Sequence, residues 1–222
     1  MNLLTSTWVL FLKYWPVFLE GLIATLKTAA IVVVFGTLVG AILAMLKQIR
    51  FKPLSLFLTF MINFLRGTPL LLQLFFFYLA FPSIVGFDLS TEFCIILALI
   101  VNSSAYVAEI FRAGIQAVDS GQYEAASSLG MSEFHRMTRI ILPQAIKNIL
   151  PALGNEFVMM IKETSLSSTF FMSDIMTSFQ VVKSNSFLVL EPLIIIAIIY
   201  FTLTTVFSSL VKLLETRLSV SD

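Results

Sequence analysis

Long apolar runs separated by short polar clusters set the pattern of this chain. Residues 28–46 carry no charge, 53–82 are interrupted only by Arg66, 92–111 hold Glu109 towards their far end, and 192–211 are again uncharged. A fifth run, 149–172, contains Glu156, Lys162 and Glu163. A helix needs about 20 mostly apolar residues to cross a bilayer, because no water is present there to satisfy its backbone. The pattern predicts an all-α integral membrane protein with five transmembrane helices, at about 17–47, 54–81, 91–113, 147–172 and 187–214. The stretch before the first span carries Trp8, Lys13, Tyr14 and Trp15 and lacks the basic start and cleavage site of a signal peptide. It reads as an interfacial element retained on the protein. Small residues at every fourth position, Gly36, Gly40 and Ala44, read as a face for close helix packing. No soluble domain or linker interrupts 1–222, which reads as one transmembrane domain.

Five spans put the chain ends on opposite sides, and the positive-inside rule chooses between the two orientations. With the N-terminus outside, Lys47, Arg50, Lys52, Arg112, Arg136, Arg139, Lys147, Lys212 and Arg217 face the cytoplasm, while Lys13, Lys27 and Lys183 lie outside. The bias predicts N-terminus out and C-terminus in, for a multi-pass protein.

Composition sharpens this picture in one respect. The chain is 58% hydrophobic and 12% charged, too apolar for a soluble core of its size, so membrane lipid must be part of its solvent. A net charge of +1 offers no field for nucleic acid. Cys94 and His135 are each the only residue of their kind, which excludes an intrachain disulfide or a cysteine/histidine metal cluster.

The largest cytoplasmic segment, about 112–150, reads as two short helices joined at Gly130. Asp119 and Gln122 are placed for a capping box, Gly130 for the left-handed residue that ends a helix, and Ser132 for the cap of a second helix that Pro143 stops. Ala125, Leu129, Phe134, Met137, Ile140 and Ile141 give the pair an apolar side, and such a knob suits docking to a partner. Small Ala125 and Ala126 would allow close approach, and Glu124 would offer a carboxylate.

Glu124, Ala125, Ala126, Gly130, Ile140, Leu142 and Pro143 together resemble the EAA motif of ABC importer permeases: E-A-A, three residues, G, nine residues, I-x-L-P. Further segments resemble the polar amino acid uptake branch, that of glutamine, histidine, arginine and cystine permeases. They are Arg66-Gly67-Thr68-Pro69-Leu70 with Gln73, the stretch from Asn102 through Tyr106 to Glu109-Ile110, and Lys162-Glu163-Thr164-Ser165-Leu166, with Glu163 where many members have Asp. The resemblance implies the type I importer permease fold and a bacterial plasma (inner) membrane location. It implies as partners a separate ATP-binding subunit, a second copy of the chain or a homologous permease, and an extracytoplasmic amino-acid-binding protein. Glu124, Ala125, Ala126 and Gly130 would couple to the ATPase. No cofactor is expected in this chain; ATP and Mg would sit on the partner, and no glycine here is followed by the lysine of a P-loop. The chain is expected to be no enzyme.

Ionisable groups inside a membrane are costly unless paired or facing water. Arg66, Thr68, Asn102, Tyr106, Glu109, Glu163, Thr164 and Ser165 are therefore expected to line a substrate cavity near mid-membrane, with Asn63, Arg66 and Gln73 on one face. Arg66 or a broken backbone at Gly67–Pro69 would meet a carboxylate, and Glu109 or Glu163 an ammonium. An ion-coupled secondary transporter or channel is the alternative that such charges leave open; it would need no docking loop.

Overall fold

The protein is described by a computed structural model covering residues 2–49 and 51–219, so Arg50 of the basic set lies outside the described residues. Every described element is helical. Three helices are long and apolar enough to cross a membrane: Leu3–Lys47, Thr91–Gln116 and the last, Leu190–Ser219. A fourth is added if Lys52–Gly67 and the helical stretch after Pro69 count as one broken span. The remaining expected span falls on Leu142–Glu163, whose 22 residues have the length but not the apolar composition, since Lys147, Glu156, Lys162 and Glu163 interrupt it.

Prolines shape the irregular turns. Inside the first helix, Tyr14 leaves helical geometry (φ −113°, ψ 15°) two residues before Pro16, which separates the expected interfacial element from the first span. Two π-helical turns, Phe76–Ala80 and Met137–Ile141, each end two residues before a proline, Pro82 and Pro143. A proline within a helix has no N–H and its ring clashes with the carbonyl four residues back; a widened turn relieves both. This corrects the expected stop at Pro143: the chain continues as helix Leu142–Glu163.

The chain divides into two compact units. The first comprises Met1–Val33, Pro69–Ile100 and Phe157–Phe207; the second comprises Val34–Thr68, Val101–Glu156 and Ser208–Asp222. The first unit packs Leu74, Ile95, Leu99, Met160 and Ile161 into one cluster, and Leu10, Phe18, Ile175, Val182, Ile195 and Ile196 into another. Buried hydroxyls tie its segments together. The Ile175 N–H donates to Thr25 Oγ1 at 3.1 Å, and Ser178 Oγ donates to the Val17 carbonyl at 2.9 Å.

In the second unit the small-residue face packs closely, as expected. A Cβ on Gly36 would lie 2.9 Å from Ser103 Oγ, and one on Gly40 would lie 2.6 Å from Val107 Cγ1 and 2.8 Å from the Ser104 carbonyl. Ser103 then donates to Glu156 at 2.8 Å, joining two helices through groups that are both buried. Phe57, Phe60 and Phe64 of this unit stay exposed, Phe60 at 65%. In water each would forgo about 1.5–3 kcal/mol of burial, whereas lipid removes that cost.

Candidate functional site

The 112–150 loop belongs wholly to the second unit. Its first helix, Ser120–Ser128, is capped by Asp119, which accepts from the Gly121 N–H at 2.7 Å. Gln122 accepts instead from Gln144 at 3.4 Å, so the reciprocal half of the expected capping box is replaced by a tie to the next helix. The end of the helix is closed by two reversed bonds, Gly130 N–H to the Ser127 carbonyl and Met131 N–H to the Ala126 carbonyl. This Schellman closure requires the left-handed conformation that Gly130 adopts at φ +72°. Ser132 accepts from the His135 N–H, and Arg136 donates to Ser127 Oγ at 2.7 Å while lying over the Tyr123 ring. Tyr123 reaches back to the Ile115 carbonyl.

The apolar side of this loop splits in two. Ile141 is buried with Val118, Ala145 and Ile149, and Met137 and Ile140 pack on them, which anchors the loop. Leu129 at 81% exposure and Phe134 at 72% project outwards beside exposed Glu124 and Ala125. Ala126 is buried and packs within the unit.

Around the intramembrane charges, helix Lys52–Gly67 ends at Thr68, which is extended (φ −109°, ψ 146°) as a residue before proline must be. The Thr68 hydroxyl donates to the Phe64 carbonyl at 2.9 Å. This break interrupts helical periodicity after Gly67, so the expected common face of Asn63, Arg66 and Gln73 does not form; Gln73 belongs to the other unit and is buried there.

Within the second unit Arg66, Tyr106 and Glu109 do come together. The Arg66 guanidinium lies 5.5 Å from the Tyr106 ring centre and 3.8 Å from Glu109 Oε2. Glu109 also accepts from two donors on one edge of the Arg112 guanidinium, Nε at 2.9 Å and Nη2, while Arg112 Nη1 donates to Gln116. Two arginines thus share one carboxylate, an arrangement with surplus positive charge suited to an anionic group. Asn102 is buried one turn away on the same helix. Glu156, held by Ser103, is a buried carboxylate of this unit that the sequence placed only as a charge in a span.

Glu163, Thr164 and Ser165 belong to the first unit. Glu163 ends the long helix, and the chain tightens into a 3-10 helix over Thr164–Phe170. Three hydroxyls bond backward along it: Thr164 to the Ile161 carbonyl at 3.0 Å, Ser167 to that of Thr164 at 2.5 Å, and Ser168 to that of Ser165 at 2.7 Å. Thr164 is buried, while Glu163 and Ser165 are half-buried.

Residues 6–220 match the family described as binding-protein-dependent transport system inner membrane component. A permease protein of Rickettsia bellii named for a glutamine transport system is 41% identical over 202 residues, covering 91% of this chain and 93% of that one. The arginine transport system permease protein of Bacillus subtilis is 38% identical over 207 residues, covering 93% and 94%. Among solved structures, an amino acid ABC transporter crystallised with histidines superimposes with a TM-score of 0.91 at 45% identity, covering 98% and 99%.

Proposed function

The chain belongs to the family of binding-protein-dependent transport system inner membrane components, and on that premise we propose how it serves as the permease of an amino acid ABC importer. Family membership brings an ATPase on a separate subunit, a substrate-binding protein and a dimeric arrangement. The permease performs no chemistry of its own. The finer reading is a homodimer, or a pair with a homologous permease, in a bacterial inner membrane with the N-terminus outside, carrying a polar amino acid such as glutamine, arginine or histidine.

The observation that carries the coupling role is the loop closed on Gly130, which holds Glu124, Ala125, Leu129 and Phe134 outward on an anchored base. An exposed apolar pair beside a carboxylate is an unfinished surface in water, and a groove on the ATPase completes it. Because the base is packed into the helices on either side, closure of the ATPase pair moves those helices as a body and alternates access across the membrane.

Substrate contact is assigned to Arg66, Thr68, Asn102, Tyr106 and Glu109 of the second unit and to Glu163, Thr164 and Ser165 of the first. The surplus charge of Arg66 and Arg112 around Glu109 supports Arg66 as partner of the substrate carboxylate. The test is coexpression with the ATPase followed by reconstitution. Gly130→Val and Glu124→Lys are expected to leave the permease in the membrane while lowering ATPase copurification and substrate-stimulated hydrolysis. Unaltered assembly and uptake in both would overturn the docking role.

A further inference from the structure

Away from the residues assigned above, the first unit holds a groove of about 570 Å³ at the end where helix Thr91–Gln116 begins, a size typical of small-ligand sites. Lys27, Thr28, Tyr78, Thr91, Glu92 and Phe170 line it. Resting on the reading as an amino acid permease, we propose that this groove is a second binding site for a free α-amino acid, with Lys27 taking the carboxylate, Glu92 the ammonium and the Tyr78–Phe170 rings the side chain.

Three observations carry it. First, a cation and an anion face one groove, yet no ion pair joins them within 4.0 Å. A zwitterion supplies the missing partner to each at once, where a simple cation or anion would satisfy only one. Second, Thr28 lines the groove and is only 6% exposed, which sets a hydroxyl-bearing side chain against its wall. A hydroxyl at the wall can donate to a ligand carboxylate or accept from an ammonium. Third, the aromatic wall is preorganised: Phe170 holds the Tyr78 ring at 5.1 Å and the Phe75 ring at 5.0 Å between centres. Such a wall receives an aliphatic or planar side chain without choosing among polar amino acids. In the proposed orientation the start of helix Thr91–Gln116 faces outside, the side from which substrate is delivered. A zwitterionic lipid headgroup carries the same two charges and is the rival occupant.

The test uses the whole permease–ATPase complex in nanodiscs, without the substrate-binding protein, and radiolabelled L-glutamine and L-arginine as probes. In phosphatidylglycerol discs, Lys27→Gln and Glu92→Gln are each expected to weaken one class of bound amino acid by about tenfold or more. Lys27→Gln should also stop discriminating between L-arginine and agmatine, its analogue without the carboxylate. A matched melting temperature for each variant shows that the fold is intact. Binding curves identical to wild type in both variants overturn the proposal. So does wild-type binding that disappears when phosphatidylethanolamine is included, which assigns the groove to a headgroup. Failure of the permease reading itself is distinct: the wild-type complex would then show neither saturable binding nor ATP-driven uptake.

Discussion

Asp174 shows how much one side chain can decide. It caps helix Ile175–Ser186, accepting from the Thr177 N–H at 2.6 Å, but it is only 2% exposed and its Oδ2 has no hydrogen-bond partner. Burial pushes its pKa up from 3.8 to about 6, against the opposing pull of the Thr177 and Met176 amides. The folded state therefore binds a proton more tightly than the unfolded one, and stability falls as pH rises from the unfolded value through 6. Asparagine caps as well as aspartate and stays neutral. Asp174→Asn is expected to raise the melting temperature at pH 7.5, by a gain on the order of 2–3 kcal/mol, and the gap should narrow as pH falls through 6 and close only below about 4. A gap that does not change with pH would refute the assignment. Two glycines separate packing from function on the same scale. Gly40→Ala pushes a methyl into Val107 and the Ser104 carbonyl and should cost about 1–3 kcal/mol in a thermal melt. At Gly67 an added Cβ meets nothing within 4 Å, so Gly67→Ala should melt no lower than wild type. If Gly67→Ala also transports normally, the break at Thr68 does not need a bare backbone beside it.

Among the elements, those with a local cause were legible in the sequence. Asp119, Gly130 and Ser132 act as the caps their residue types demand, and Gly36 and Gly40 lie where small-residue spacing put them. Elements decided by competition were not legible. Pro143 stops a helix in isolation, but packing of Ile141, Ala145 and Ile149 on Val118 holds the axis together and a π turn absorbs the ring. Sequence alone does not say which side of a loop helix is inward, so the burial of Ala126 beside exposed Ala125 was not legible either. The Glu156–Ser103 bond was invisible because it joins residues 53 apart through helices with separate patterns. It gives an element-level prediction. Ser103→Ala leaves a buried carboxylate short of a donor and should cost about 1–3 kcal/mol in melting, whereas Glu156→Gln keeps an acceptor for Ser103 and should cost less. Equal losses for the two would show that charge, not the hydrogen bond, matters there.

For the molecule as a whole, the question is which intramembrane polar groups serve transport and which serve the fold. Glu109 is committed to Arg66 and Arg112, and Glu156 to Ser103, so both have structural duties already. Glu163 ends a helix where the chain changes to 3-10 geometry and is half-buried, and Asn102 is buried one turn from Tyr106. A group that only ties the fold together should lose stability and transport in proportion when removed. One that meets the substrate should lose transport alone, because a charge stripped of its partner typically forfeits about 2–5 kcal/mol of binding. Glu163→Gln and Asn102→Ala are therefore expected to assemble with the ATPase, melt close to wild type and hydrolyse ATP basally, while uptake falls by about tenfold or more. Glu109→Gln frees two guanidiniums at once and should lower both melting temperature and uptake. Uptake in proteoliposomes, read beside melting and basal hydrolysis, separates the cases. Normal uptake by both Glu163→Gln and Asn102→Ala, with melting and hydrolysis also unchanged, would remove these residues from the substrate path.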